Sequence, residues 1–168
     1  MARRTTRVKS SVDMSPFLKY MRQVARRSTN FSGVFRASMK DLEKAHARNF
    51  DSQGGLVGGW KPTEYSSWKL ENYGRGGILV RTGALKSSLT MSNSRGAVND
   101  IGRKQAEFGT NVSYAHFHQT GTENMAARKI VFVPSRFAEG FADDAVKYVA
   151  YGNNPAGALK RAINFARR

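Results

Sequence analysis

The chain contains no cysteine, which removes disulfides, thiolate metal sites and a cysteine nucleophile, and suits a reducing compartment. Histidine is scarce at three residues and the carboxylates are scattered, so no triad, dyad or metal cluster emerges and a hydrolase is not expected. No apolar run is long enough to span a bilayer, and the basic start is followed by no apolar signal region. A soluble protein made in the cytoplasm, without membrane partners, is expected. Acidic side chains are the last shortage. Against 28 Lys plus Arg there are only 12 Asp plus Glu, a net charge of +16. Such an excess repels further copies and attracts polyanions, either nucleic acid or acidic protein surfaces.

What remains is ample for a fold. Hydrophobic residues make up 40% of 168 and aromatics 11%, enough for one domain with extensions. Residues 1–12 are basic, rich in Ser and Thr and without apolar period, so they read as an arm; 13–152 read as a single domain, and 153–168 as a short helix with a basic tail. The positive charge is uneven: residues 1–50 hold twelve basic residues against Asp13, Asp41 and Glu43. Arg3, Arg4, Arg7 and Lys9 at one end, and Arg167 and Arg168 at the other, are candidate contacts to a partner or to DNA.

Asp13 or Ser15, with Pro16 in the first turn, opens a helix to about Arg27, with Met14, Phe17, Leu18, Met21, Val24 and Ala25 as one apolar stripe. A second and longer helix runs from about Asn30 to Phe50, with Val34, Met39, Leu42, Ala45 and His46 on its apolar side; His46 reads as a packed core residue. Residues 51–77 form a long polar, glycine-rich connection. It lacks a Gly-Lys-Ser/Thr ending, which argues against a phosphate loop, while Trp60, Tyr65, Trp68 and Tyr73 read as anchors.

The organising stretch is Gly76 to Thr90. Ile78-Leu79-Val80 reads as a buried strand, Arg81-Thr82-Gly83 as a turn, and Ser87 to Ser92 as the next strand. Ala97 to Ile101 and Gln105 to Thr110 extend these into an antiparallel meander. A short helix from Tyr114 to Gln119 is closed by Gly121, and its His116 and His118 diverge, so zinc is not expected. Ala126 to Pro134 reads as the last strand. A helix then starts at Ser135 and ends near Gly152, and a final one spans Pro155 to Phe165. The fold class expected is α+β: long N-terminal helices packed on a small antiparallel sheet, with short C-terminal helices and basic terminal arms. No cofactor and no catalysis are expected.

Several motifs recur in a fixed order: W-K-P at Trp60 to Pro62, I-L-V-R-T-G-A-L-K-S-S-L at Ile78 to Leu89, F-G-T-N-V-S-Y-A-H-F-H-Q-T-G at Phe108 to Gly121, and A-A-R at Ala126 to Arg128. In this the chain resembles the tail-completion and neck proteins of tailed bacteriophages, the virion morphogenesis or minor tail group, over roughly residues 50–137. The resemblance singles out Trp60, Pro62, Arg81, Thr82, Gly83, Leu85, Ser88, Tyr114, Ala115, Gln119, Gly121, Ala127 and Arg128 as structural or interface residues. It implies a structural virion protein at the head-tail junction, one of a hexameric ring. Its implied neighbours are head-completion or adaptor proteins and tail-terminator or tube proteins, with DNA passing through the channel. The family usually reads Pro-Ala-Arg-Pro-Phe where this chain has Ala126-Ala127-Arg128-Lys129-Ile130, so a different start to the last strand is expected. The competing reading is a basic nucleic-acid-binding protein, which the charge favours but for which no helix-turn-helix spacing, zinc ligands or aromatic RNA-binding signature is present.

Overall fold

Apolar residues three and four apart make the second helix the spine of the molecule. In the computed structural model, which describes residues 13–61, 71–72 and 77–152, helix α1 spans Ser15–Ser28 and helix α2 spans Ser32–Asp51. Val34, Ser38, Met39, Leu42, Ala45, His46, Asn49 and Phe50 of α2 are all buried. The Asn30 side-chain oxygen accepts the Ser32 amide at 3.1 Å in an Asx turn just ahead of the helix, whose N-cap is Phe31 and carries no side-chain cap bond. At the other end Gly54 sits at φ +88°, where a Cβ would lie 2.6 Å from the Trp60 side chain; only glycine lets the indole close over the helix end.

Helix α3 spans Ala84–Thr90, strands β1 and β2 span Ala97–Ile101 and Ala106–Thr110, helix α4 spans Ala115–Thr120 and helix α5 spans Ser135–Tyr151. The strands pair antiparallel with Ala97 opposite Thr110 and Ile101 opposite Ala106. The class is α+β, as expected. α2 and α5 pack side by side through stacked Phe35 and Phe141, ring centroids 5.5 Å apart, and the hairpin contributes Ile101, Ala106 and Phe108 to the same core. A second core gathers Phe50, Trp60, Leu85, Leu89, Ala115 and Ile130.

Three expected strands are not strands, and the meander reduces to one hairpin. Ile78 to Val80 is a turn, with the Val80 amide bonded to the Gly77 carbonyl at 3.1 Å and Leu79 at φ +63°. Its apolar side chains pack on the second core, which is why the run looks strand-like in sequence. The Ser87 to Ser92 run lies mostly within α3. There Leu85 and Leu89 are buried four apart, and the Ser88 and Thr90 hydroxyls bond back to the Leu85 and Lys86 carbonyls at 2.9 Å each. Helical spacing won over local β-propensity because α3 packs on α2. The segment 126–134 is extended but joins no ladder. Arg128, Ile130 and Phe132 are buried in alternation, the signal that suggested a strand, yet its backbone is held mostly by side chains, those of Trp60, Gln119 and His46.

The first helix differs in another way. Its apolar stripe exists, but none of its residues is buried. The arm 1–12, Pro62, the expected anchors Tyr65, Trp68 and Tyr73, and the tail 153–168 with the expected last helix lie outside the described residues.

Candidate structural site

Trp60, Gln119, Gly121 and Arg128, far apart in the sequence, meet at the extended segment 126–134. Gln119, near the end of α4, is its clamp. Its side-chain carbonyl accepts the Ile130 amide at 2.8 Å and the Val131 amide at 3.0 Å, while its amide nitrogen donates to the Val131 carbonyl at 3.0 Å. One glutamine thus supplies the donor and acceptors that a neighbouring strand would provide. The Arg128 amide donates to the His118 carbonyl at 2.6 Å. Buried Arg128 directs Nε and Nη2 to the Lys61 carbonyl at 3.4 and 3.3 Å. Trp60 donates its indole N–H to the Lys129 carbonyl at 3.1 Å and sets its ring edge-on to Phe50.

Glycine is required where α4 turns into this segment. Gly121 has φ +79°, and a Cβ there would lie 2.8 Å from the Ala127 amide nitrogen and the Met125 carbonyl oxygen. Gly83 has φ +80° at the start of α3, with open space around it, and the Ala84 amide reaches the Thr82 hydroxyl at 3.4 Å. Leu85 and Ala115 are core. Ser88 shares a 2.7 Å hydrogen bond with Thr110, joining α3 to β2. Arg81, Thr82 and Tyr114 are exposed, the Tyr114 ring lying edge-on to His118. Ala127 is exposed beside Arg128. Pro62, Arg3, Arg4, Arg7, Lys9, Arg167 and Arg168 lie outside the described residues.

Two further braces carry no local sequence signal. His46 is bonded at both ring nitrogens: Nδ1 lies 2.8 Å from the Leu42 carbonyl and the Phe132 amide donates to Nε2 at 3.4 Å. Nε2 must then be the bare nitrogen and Nδ1 the protonated one. The ring sits between Phe108 and Phe132, and burial pushes its pKa below the usual histidine value. Arg27 reaches 122 and 123 residues along the chain to the Val149 and Ala150 carbonyls at 3.2 and 3.1 Å, capping the negative end of α5. Spacing within either helix could not reveal either link.

Among the described residues, no group of three His, Asp or Glu side chains is placed to hold a metal, and no helix is long and apolar enough to cross a membrane. His116 bonds locally to the Ser113 carbonyl at 2.9 Å. The convergence of Trp60, Leu85, Ala115, Gln119, Gly121 and Arg128 is architectural: each fixes backbone or fills core.

The model of the phage virion morphogenesis family matches residues 12–150. The match takes in α1 and α5, and so extends well beyond the 50–137 span expected from the motifs. No curated protein and no solved structure matches the chain. With the family model covering most of its length, the chain belongs to the phage virion morphogenesis family and is a phage structural or assembly protein associated with the virion.

Proposed function

We propose that this protein is a tail-completion or neck component that joins the DNA-filled head to the tail, acting as one protomer of a hexameric ring. It works by shape, without catalysis or cofactor, and is made in the host cytoplasm before taking its place at the head-tail junction. The observation that carries the reading is the use made of the family residues. Gln119, Trp60 and Arg128 are spent on holding an extended segment to a scaffold. Ring protomers need that kind of rigidity, because an error in one repeated interface is multiplied around the circle.

The +16 charge supports docking on negative neighbours. Acidic faces of adjoining head-completion, adaptor, terminator or tube proteins, and DNA in the channel, are the surfaces that the basic ends would meet. A phage carrying a nonsense mutation in this gene tests the reading. Filled heads and finished tails should accumulate apart, and added purified protein should join them. Mutant particles that lack the protein and still infect normally would overturn it.

A further inference from the structure

Helix α2 exposes one row of charge. Of its residues from Gly33 to Phe50, the exposed ones are Arg36, Lys40, Lys44 and Arg48, and no others. All are basic and each stands four residues from the next, so they share one ridge. It climbs about 6 Å per step, roughly 18 Å in all, and slants about 26° to the helix axis. An ordinary solvated face mixes both signs, as α5 does with Glu139, Asp143 and Lys147 at exposed positions. Like charges four apart repel, so the row works against its own helix. Half-buried Ala37 and Ala47 flank it and keep the surface low on either side.

The chain has too few acids to balance this ridge. Asp41 is buried, its Oδ1 3.5 Å from Lys44 Nζ, and Asp51 is taken by Lys86 at 2.7 Å. Glu43 is half-buried in the same helix and forms no ion pair among the described residues. Arg36, Lys40 and Arg48 form none there either. The residues outside the described set hold one acid, Glu64, against ten Lys and Arg, four of them in 1–12 and four in 153–168. Those segments therefore add charge of the same sign. A second copy, itself at +16, does so too. What balances the ridge must be an anionic molecule other than this chain.

We infer that α2 lies along the phosphate backbone of double-stranded DNA, with Arg36, Lys40, Lys44 and Arg48 as its contacts. The inference rests on the place proposed for the protein at the head-tail junction, which supplies the DNA, and it names the element that meets it. Phosphate suits the row better than an acidic protein does. A protein interface has a core depleted in charge and rich in aromatic anchors, whereas between Gly33 and Phe50 no apolar side chain of α2 is exposed. A duplex presents one negative charge per roughly 1.7 Å of its axis, so about ten phosphates lie alongside a ridge of this length. Contacts to phosphate carry no base information. The grip is therefore indifferent to sequence, as a contact with whatever part of a genome occupies a channel has to be.

Two full-length variants of equal charge test this. One carries Arg36→Gln, Lys40→Gln, Lys44→Gln and Arg48→Gln; the other carries Lys19→Gln, Arg22→Gln, Arg26→Gln and Lys104→Gln, which removes four exposed cations elsewhere. Each takes four charges from the same +16. Fluorescence anisotropy with a labelled duplex of about 30 base pairs, over roughly 50 to 200 mM salt, reads affinity and its salt dependence. The ridge variant should bind at least tenfold more weakly than wild type. Its plot of log affinity against log salt should flatten by about 3, at roughly 0.9 per phosphate contact with Lys44 shared by Asp41. The other variant should stay within about threefold of wild type. Arg36→Gln with Lys40→Gln, and Lys44→Gln with Arg48→Gln, should each show about half the flattening, and these pairs carry the comparison if the fourfold variant loses its circular dichroism. Arg36→Lys with Arg48→Lys keeps the charge and should keep the binding. Equal weakening in the two fourfold variants overturns the inference in favour of diffuse charge. A tenfold preference for one duplex sequence, or wild-type protein that ignores DNA at the lowest salt, overturns it as well. Unchanged duplex binding by the ridge variant, with phage carrying it unable to join heads to tails, overturns it in favour of an acidic protein partner and leaves the neck reading standing. Weakened duplex binding supports the ridge contact even where particles lacking the protein infect normally, a result that removes the neck reading alone.

Discussion

Replacing Gln119 by alanine should cost this protein about 3 kcal/mol. The side chain makes three hydrogen bonds, two accepted from the Ile130 and Val131 amides and one donated to the Val131 carbonyl. Each is worth about 1 kcal/mol net, and a stranded buried donor costs about 1–3 kcal/mol. Partial burial of the three bonds allows some rescue by water, which keeps the sum near its lower end. Against a total of about 5–15 kcal/mol for a small domain that loss is large. Urea unfolding at pH 7.5 measures it, with exposed Glu123→Ala as the neighbouring control. Amide exchange adds the local readout: Ile130 and Val131 should lose protection before the α2 core does. Gln119→Glu keeps both acceptor bonds but turns a carboxylate oxygen toward the Val131 carbonyl, so its loss should fall between wild type and alanine. If Gln119→Ala stays within about 0.5 kcal/mol of wild type and the two amides keep their protection, the clamp is not what holds the segment.

Gly121→Ala should be markedly worse than Gly83→Ala, although both residues have φ near +80°, because only at Gly121 does the added Cβ meet backbone at 2.8 Å. The Gly83 variant should lose about 1–2 kcal/mol, the usual cost of the left-handed conformation, and equal melting temperatures would refute the packing argument. Trp60→Phe retains an aromatic ring against Phe50 but deletes the bond to the Lys129 carbonyl, an expected loss of about 1 kcal/mol plus a smaller-ring term in the same unfolding assay. Burial lowers the pKa of His46, so the unfolded chain takes up a proton near pH 6.5 that the folded chain refuses. Stability should hold above that pH and decline as pH falls from it toward the lower folded-state value. His118, lowered by burial and by nearby Arg128, acts in the same direction. A urea midpoint as high at pH 5 as at pH 7.5 would contradict this.

Most long elements were legible because their periods are long enough to average over. α2 and α5 follow apolar residues three and four apart, Gly152 at φ +70° ends α5 where expected, and the hairpin register agrees with the two short runs around the G-R-K turn. α3 was misread because seven residues with two serines and a threonine suit either state, and tertiary packing on α2 made the choice. The 126–134 segment was misread for the opposite reason. Its alternation of buried and exposed residues is real, but alternation reports burial and says nothing of what pairs the backbone. The motif set was visible through its order along the chain. The individual duties were hidden, since the partners of Gln119, Arg27 and His46 lie 11, 122 and 86 residues away.

The bare backbone of Gly54 lets the Trp60 indole settle against the end of α2, where the ring touches the helix, the connection and the extended segment at once. The molecule therefore carries its own optical gauge at the meeting point of its parts. Emission from that indole, separated from Trp68 by substituting the latter, should report without any dye on whether the junction stays shut as particles are put together.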